Sequence, residues 1–183
     1  GSNYYFDEAT GAMKSGSYVW RKDAGIEVYY GKDGRMLYGA QKIDNNLTFF
    51  DKQTGAQAKN KAVTLNGKTY YYDRVGYLAK SRWLNLDGRT LYAGSDGSFV
   101  SGQQQINGHY YYFDEANNAM VRGFKWIWYQ NKEVYYNDKW WMLYGQQHIE
   151  NHWLYFDPYS GAQAKNKFIL ISGLSKVVYY NGV

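Results

Sequence analysis

Short runs of Tyr, Phe, Val and Leu alternate with turns rich in Gly, Asn and Asp from one end of the chain to the other. The runs are four or five residues long, too short for helices and too aromatic for amphipathic helix faces, so they predict β-strands. Each carries an aromatic doublet: Tyr5-Phe6, Tyr29-Tyr30, Phe49-Phe50, Tyr71-Tyr72, the degenerate Tyr92-Ala93, Tyr112-Phe113, Tyr135-Tyr136, Tyr155-Phe156 and Tyr179-Tyr180. The doublet returns about every 21 residues. A fixed period of this length marks a repeat protein, whose units bury their apolar faces only by stacking on neighbours.

In register, the aromatic strands sit near residues 3–6, 27–30, 47–50, 69–72, 90–93, 110–113, 133–136, 153–156 and 177–180. A shorter apolar strand precedes each complete one, as at Lys42-Ile43 and Gln105-Ile106. Between them stand Asn66-Gly67, Asp87-Gly88 and Asn107-Gly108, the strongest short hairpin signals, because type I′ turns need positive φ at both central residues. The pattern predicts an all-β fold, a β-solenoid of about nine stacked hairpins. Neighbouring strand residues point to opposite faces, so one ring of each doublet is expected to face the interior.

A longer repeat overlies the first. Residues 27–61 and 133–167 agree at 20 of 35 positions, at an offset of 106. Met36-Leu37-Tyr38-Gly39 returns as Met142-Leu143-Tyr144-Gly145, and Gly55 to Lys61 returns unchanged as Gly161 to Lys167. No Ser/Pro-rich or charged linker interrupts the period, so residues 1–183 are expected to form a single repeat module cut from a longer array, with Gly1-Ser2 a cloning remnant.

Composition narrows the chemistry. Tyrosine supplies 22 residues and aromatics 20% of the chain; such rings bury apolar area while keeping a hydroxyl wet. There is no Cys, so neither disulfides nor thiolate metal sites are available. The net charge of +5 comes from interspersed rather than clustered residues, which argues against a nucleic-acid arm. No apolar stretch approaches 18 residues, so no membrane-spanning helix is expected.

Units such as Ile106-Asn107-Gly108-His109-Tyr110-Tyr111-Tyr112-Phe113-Asp114 and Tyr155-Phe156-Asp157-Pro158-Tyr159-Ser160-Gly161-Ala162-Gln163 resemble the glucan-binding or cell-wall-binding repeats of lactic acid bacteria and oral streptococci. The resemblance covers essentially the whole chain. It implies a secreted or bacterial-surface module that binds α-glucan polysaccharide or isomaltooligosaccharides. The sister choline-binding repeats build aromatic cages for a quaternary ammonium from a Gly-Trp opening. Here the units open Gly39-Ala40, Asn60-Lys61, Gly102-Gln103, Gly123-Phe124 and Gly145-Gln146 instead. Trp20, Trp83 and Trp126 lie near the opening position without the strand Trp, so regular choline cages are not expected.

In the glucan-binding family, sugar pockets pair an aromatic ring from one hairpin with a Gln-x-Lys in the tail of the next. The resemblance therefore implies two carbohydrate-binding pockets: Tyr38 with Gln57 and Lys59, and Tyr144 with Gln163 and Lys165. The residue types suit the task. A pyranose face fits a Tyr ring, and Gln offers both acceptor and donors to a hydroxyl. Alternation puts Gln57 and Lys59 on one face with Ala58 opposite. The other tails keep the scaffold and lose the Gln. The dense runs Trp126-Ile127-Trp128-Tyr129 and Trp140-Trp141 are candidates for a further contact site.

Catalysis is not expected. No nucleophile elbow, phosphate loop or dinucleotide fingerprint occurs, and a repeating array does not build the converging carboxylate pair a glycosidase needs. Acids beside the doublets recur with the repeat, as turn residues do. His148 and His152 lie across a turn without a matched carboxylate, so no metal site is expected. No cofactor is implied. The alternatives to glucan binding are attachment to teichoic acid or peptidoglycan of the bacterial wall, which the positive charge favours, and a structural spacer without ligand.

Overall fold

The computed structural model describes residues 1–182, and they fold into paired strands with only two 3-10 turns, Trp128–Gln130 and Ser172–Leu174, between them. The strands are β1 (Ser17–Arg21), β2 (Ile26–Tyr30), β3 (Gly39–Ile43), β4 (Asn46–Phe50), β5 (Lys61–Leu65), β6 (Lys68–Tyr72), β7 (Arg82–Leu86), β8 (Arg89–Ala93), β9 (Gly102–Ile106), β10 (His109–Phe113), β11 (Met120–Val121), β12 (Gly123–Ile127), β13 (Lys132–Tyr136), β14 (Gly145–Ile149), β15 (His152–Phe156), β16 (Lys167–Ile171) and β17 (Lys176–Tyr180). They pair as consecutive antiparallel hairpins, with β11 added to the edge of β10. Eight hairpins stand where the sequence pattern gives about nine units. The first doublet, lacking an upstream partner strand, makes only the bridge Phe6–Met13.

Tight turns close five hairpins. Asn66-Gly67, Asp87-Gly88 and Asn107-Gly108 have positive φ at both residues, as the sequence signal requires. Asp44-Asn45 and Glu150-Asn151 adopt the same geometry without glycine, which the sequence does not announce. After each aromatic strand an acid or amide ties the next turn. Asp51 Oδ1 accepts from the Gln53 and Thr54 amides at 3.0 and 2.8 Å. Asp157 does the same for Tyr159 and Ser160, and Asn137 for Lys139 and Trp141. These acids are turn-formers, as their recurrence suggests.

The chain divides into two compact units, residues 1–84 with 92–99 and residues 85–91 with 100–183. Within the first, every linker lies on the aromatic strand of the preceding repeat. The Met36, Gln57, Leu78 and Phe99 amides donate to the carbonyls of Asn3, Glu27, Leu47 and Thr69 at 2.8–2.9 Å. In the second, Met142 donates to Tyr110 and Gln163 to Glu133. Stacking therefore runs through backbone bonds between residues about 30 apart in successive repeats, the solution for hairpins that are marginal alone.

The second residue of each doublet from β2 onward forms the core: Tyr30, Phe50, Ala93, Phe113, Tyr136 and Phe156 are fully buried and Tyr72 and Tyr180 nearly so. In the first unit Val28, Tyr30 and Met36 pack with Tyr5, Val19 and Tyr38, and Phe49, Ala58 and Tyr72 with Val63 and Leu78. In the second, Ile127, Val134, Tyr136 and Met142 form the corresponding cluster with Tyr112.

Candidate carbohydrate-binding clefts

Alternation along the strands places Val134 and Tyr136 in the core and Glu133 and Tyr135 on the opposite face of β13. Trp126 stands directly opposite Glu133, and Phe124 opposite Tyr135. The linker after β15 lies against this hairpin. The Gln163 amide donates to the Glu133 carbonyl at 2.8 Å, and the Lys165 ammonium meets the Glu133 carboxylate at 2.8 Å. Backbone pairing thus sets the register, and the side-chain ion pair follows from it.

Two open clefts flank this contact. One, of about 550 Å³, is lined by Trp126, Glu133, Tyr155, Asp157, Gln163 and Lys165, with Lys132 and Lys167 beside them. The other, of about 320 Å³, is lined by Phe124, Glu133, Ile149, Leu154, Gln163 and Lys165. Lys132 donates to the Ser160 carbonyl, and burial holds its ammonium below the usual range. Backbone and hydroxyl donation from Ser160 lowers Asp157.

The first unit repeats the constellation. Trp20 stands opposite Glu27 and Tyr18 opposite Tyr29. The Gln57 amide donates to the Glu27 carbonyl at 2.8 Å, and Lys59 pairs with the Glu27 carboxylate at 2.5 Å. A cleft of about 690 Å³ is lined by Phe49, Asp51, Thr54, Gln57, Lys61 and Val63, the positions that Tyr155, Asp157, Ser160, Gln163, Lys167 and Ile169 take in the second unit; Trp20, Glu27 and Lys59 do not line it. Burial pushes the Tyr18 phenol up to about 12.

The sequence-derived pockets are rearranged by this geometry. Gln163 and Lys165 do come together, but Tyr144 lines neither cleft of its unit. It packs on the Tyr136–Met142 cluster, and its carbonyl accepts from Gln147 Nε2 at 2.6 Å. Tyr38 likewise packs on Tyr30 and Met36, and its hydroxyl accepts from Asn3 Nδ2 at 2.7 Å. The reason is register: Tyr38 is the counterpart of Lys59 one linker earlier, so each reaches a different strand. Ala58 is buried and Lys59 exposed, as alternation requires. Gln57 takes the position of Met36, whose thioether lies under Gly55. Its side chain turns under Gly76 and donates to the Val75 carbonyl at 3.3 Å. Its Oε1 is buried without a hydrogen-bond partner among the described residues.

The residues that sequence reasoning missed are Glu27 and Glu133. Their signal was present, since Glu opens both copies of the 27–61 and 133–167 match. Trp20, noted for its nearness to a repeat opening, and Trp126, noted for that and as part of a dense aromatic run, stand opposite these acids in the strand pairing. His148 and His152 sit on paired strands, His148 against Trp153. No three His, Asp or Glu side chains converge as metal ligands among the described residues. No helix among them is long and apolar enough to cross a membrane.

The choline-binding repeat family matches residues 20–61 and 121–168, the segments that carry both constellations. Glucosyltransferase-I from Streptococcus downei is 31% identical over 129 residues, 65% of this chain and 7% of the relative. Glucosyltransferase-S from Streptococcus mutans is 31% identical over 137 residues, 74% of this chain and 9% of the relative. The chain thus spans less than a tenth of the length of these two relatives. Among solved structures, CbpJ from Streptococcus pneumoniae superposes with a TM-score of 0.80 at 20% identity, over 97% of this chain and 67% of that one. Choline binding protein F from the same organism, solved in the presence of a peptidoglycan analogue, gives 0.77 at 20% identity over 97% and 67%. At such identities the likeness establishes the hairpin-repeat fold. Fold and repeat period agree with the sequence match: residues 20–61 and 121–168, about half of the chain, belong to the choline-binding repeat family, and the chain is similar to stretches of two streptococcal glucosyltransferases.

Proposed function

We propose that the chain is a non-catalytic module that holds an α-glucan polymer in the clefts beside Glu133 and Gln57. The observation that carries this reading is the duplicated set Trp126, Glu133, Gln163, Lys165 and Trp20, Glu27, Gln57, Lys59, in which a Lys pairs with a glutamate that stands opposite a Trp in the hairpin. An exposed indole offers a flat apolar face to a pyranose. The adjoining carboxylate accepts and the ammonium donates, which suits a rim of hydroxyls, and the paired charges leave little net field for an ion. Similarity to two glucosyltransferases supports a glucan as the polymer. Each cleft is shallow, so single-site affinity is weak, and a polymer bridging two sites gains through effective concentration, up to about 10²–10⁴-fold. Secretion or display at the bacterial surface fits this role.

Titration calorimetry with short isomaltooligosaccharides against long dextran tests the reading. Affinity per chain rises with length if it is right, and no heat with either ligand rejects it. The second reading, attachment to an anionic wall polymer, is favoured by the net charge of +5. It predicts retention on purified walls that collapses between 50 and 500 mM salt, with no retention on dextran.

A further inference from the structure

The two constellations differ at one end. In the second unit the outward positions of β12 continue into the following turn, so Phe124, Trp126 and Trp128 stand at alternate positions. All three are exposed, Trp126 by 54% and Trp128 by 70%. Trp128 makes an edge-on pair with Tyr129, their ring centres 5.6 Å apart. The turn is closed by Asn131 in the left-handed region at φ 48, and Asn131 itself lines the cleft that Trp126 lines. Phe124 lines one cleft and Trp126 the other, and Trp128 opens the turn between Trp126 and Asn131. In the first unit the same positions read Tyr18, Trp20 and Lys22. There the first residue of the turn is Lys22 and its Asp23 is tied to Arg21 at 2.6 Å, so the ladder stops at two rings.

We propose that Phe124, Trp126 and Trp128 form a three-ring platform for consecutive sugar residues, making the second unit the main polymer site. This rests on the glucan reading above. Phe124 and Trp126 are alternate strand positions, about 6.6–6.8 Å apart, and Trp128 follows as the first residue of the turn, so the exposed rings offer several stacking faces rather than one. The occupant is an uncharged polyhydroxylated chain. Glu133 is matched by Lys165, Lys167 lies close enough to Asp157 to help lower it, and Lys132 is engaged by the Ser160 carbonyl. The acid and base at the cleft are occupied with one another, while the rings are open.

The test uses the full chain, wild type, Trp128→Ala and Lys22→Trp, titrated with isomaltooligosaccharides from two to eight sugars. Trp128 is largely exposed, so its removal leaves the core intact, and unchanged circular dichroism and melting verify that. The platform predicts that the ratio of long- to short-ligand affinity falls by about three- to tenfold in Trp128→Ala, the scale of one aromatic contact. It predicts that Lys22→Trp raises the same ratio. A ratio unchanged in Trp128→Ala, with wild type binding normally, overturns the platform and leaves the glucan reading standing. Failure of wild type to bind any member of the series overturns both.

Discussion

Lys165 meets Glu133 at 2.8 Å, and at an offset of 106 positions Lys59 meets Glu27 at 2.5 Å. The partners are 32 residues apart in each copy. They meet because the linker carrying Gln-x-Lys pairs by its backbone with the strand that carries the acid. The pairs are part-exposed, and each contributes no more than about 1 kcal/mol to stability. Their recurrence opposite a tryptophan therefore points to recognition rather than stability.

Breaking the pair separates the two roles. Lys165→Ala should lower the melting temperature by no more than about 2–4 °C, the shift about 1 kcal/mol gives in a chain of this size. It should weaken dextran binding at the second unit by about three- to tenfold, the loss of one charge-assisted contact. Affinity electrophoresis in dextran gels beside thermal melts checks both. Unchanged dextran retention would return Lys165 to the role of a surface charge.

Gln57 lines the first-unit cleft and also packs beneath the neighbouring turn. It occupies the slot of Met36, with one amide oxygen buried and unpartnered, a costly arrangement. Gln57→Met should stabilise the first unit by about 1 kcal/mol, raising the melting temperature by about 2–4 °C. A lower melting temperature would show that the bond to Val75 outweighs the stranded oxygen.

The turn acids set an acid limit. Asp7 falls to about 2 through the Lys14 hydrogen bond and then Thr10. Asp51 and Asp157 are lowered chiefly by backbone donors at Thr54 and Ser160. A carboxyl whose folded pKa lies below its unfolded value gives stability that is present above about pH 4 and is lost as pH falls through the folded value. Melting temperature should therefore hold from pH 7 to 5 and decline from about pH 4 toward 2. Asp157→Asn should flatten part of that decline, because Asn137 makes the same turn bonds without ionising. An unchanged acid slope in Asp157→Asn would locate the sensitivity elsewhere.

Two-residue turns without glycine leave room for gain. Asn45 sits at φ 66 in a turn whose counterpart at 66–67 uses glycine. Asn45→Gly should stabilise the β3–β4 hairpin by a few tenths of a kcal/mol to about 1 kcal/mol. Denaturant melts measure it. A loss would mean that the greater freedom of glycine in the unfolded chain outweighs the relief.

Much of this architecture was legible in the residues. The strand positions follow from the doublets, the turns from Asn-Gly and Asp-Gly, and an inward ring in each doublet from alternation, though not that it is the second. Asp44-Asn45 and Glu150-Asn151 were not legible, because their left-handed backbone is imposed by the strands they join rather than by glycine. The site was half legible. Gln-x-Lys stood out as an intact repeat, and Gln163 and Lys165 do share a cleft. Tyr38 and Tyr144, expected beside the Gln, pack on the Tyr30–Met36 and Tyr136–Met142 clusters, because Tyr38 and Lys59 belong to the same position of successive linkers, each laid on a different strand. Only the long-range pairing of linker to strand brings Glu133 and Trp126 into view.

The most direct measurement is dextran binding by the double variant Trp20→Ala, Trp126→Ala, which removes the ring opposite each glutamate. Both rings are more than half exposed, so the fold should survive, as melting will verify. The account predicts that wild type is retarded in a dextran gel and that the folded double variant runs as if dextran were absent. Equal retardation of the two proteins would contradict it.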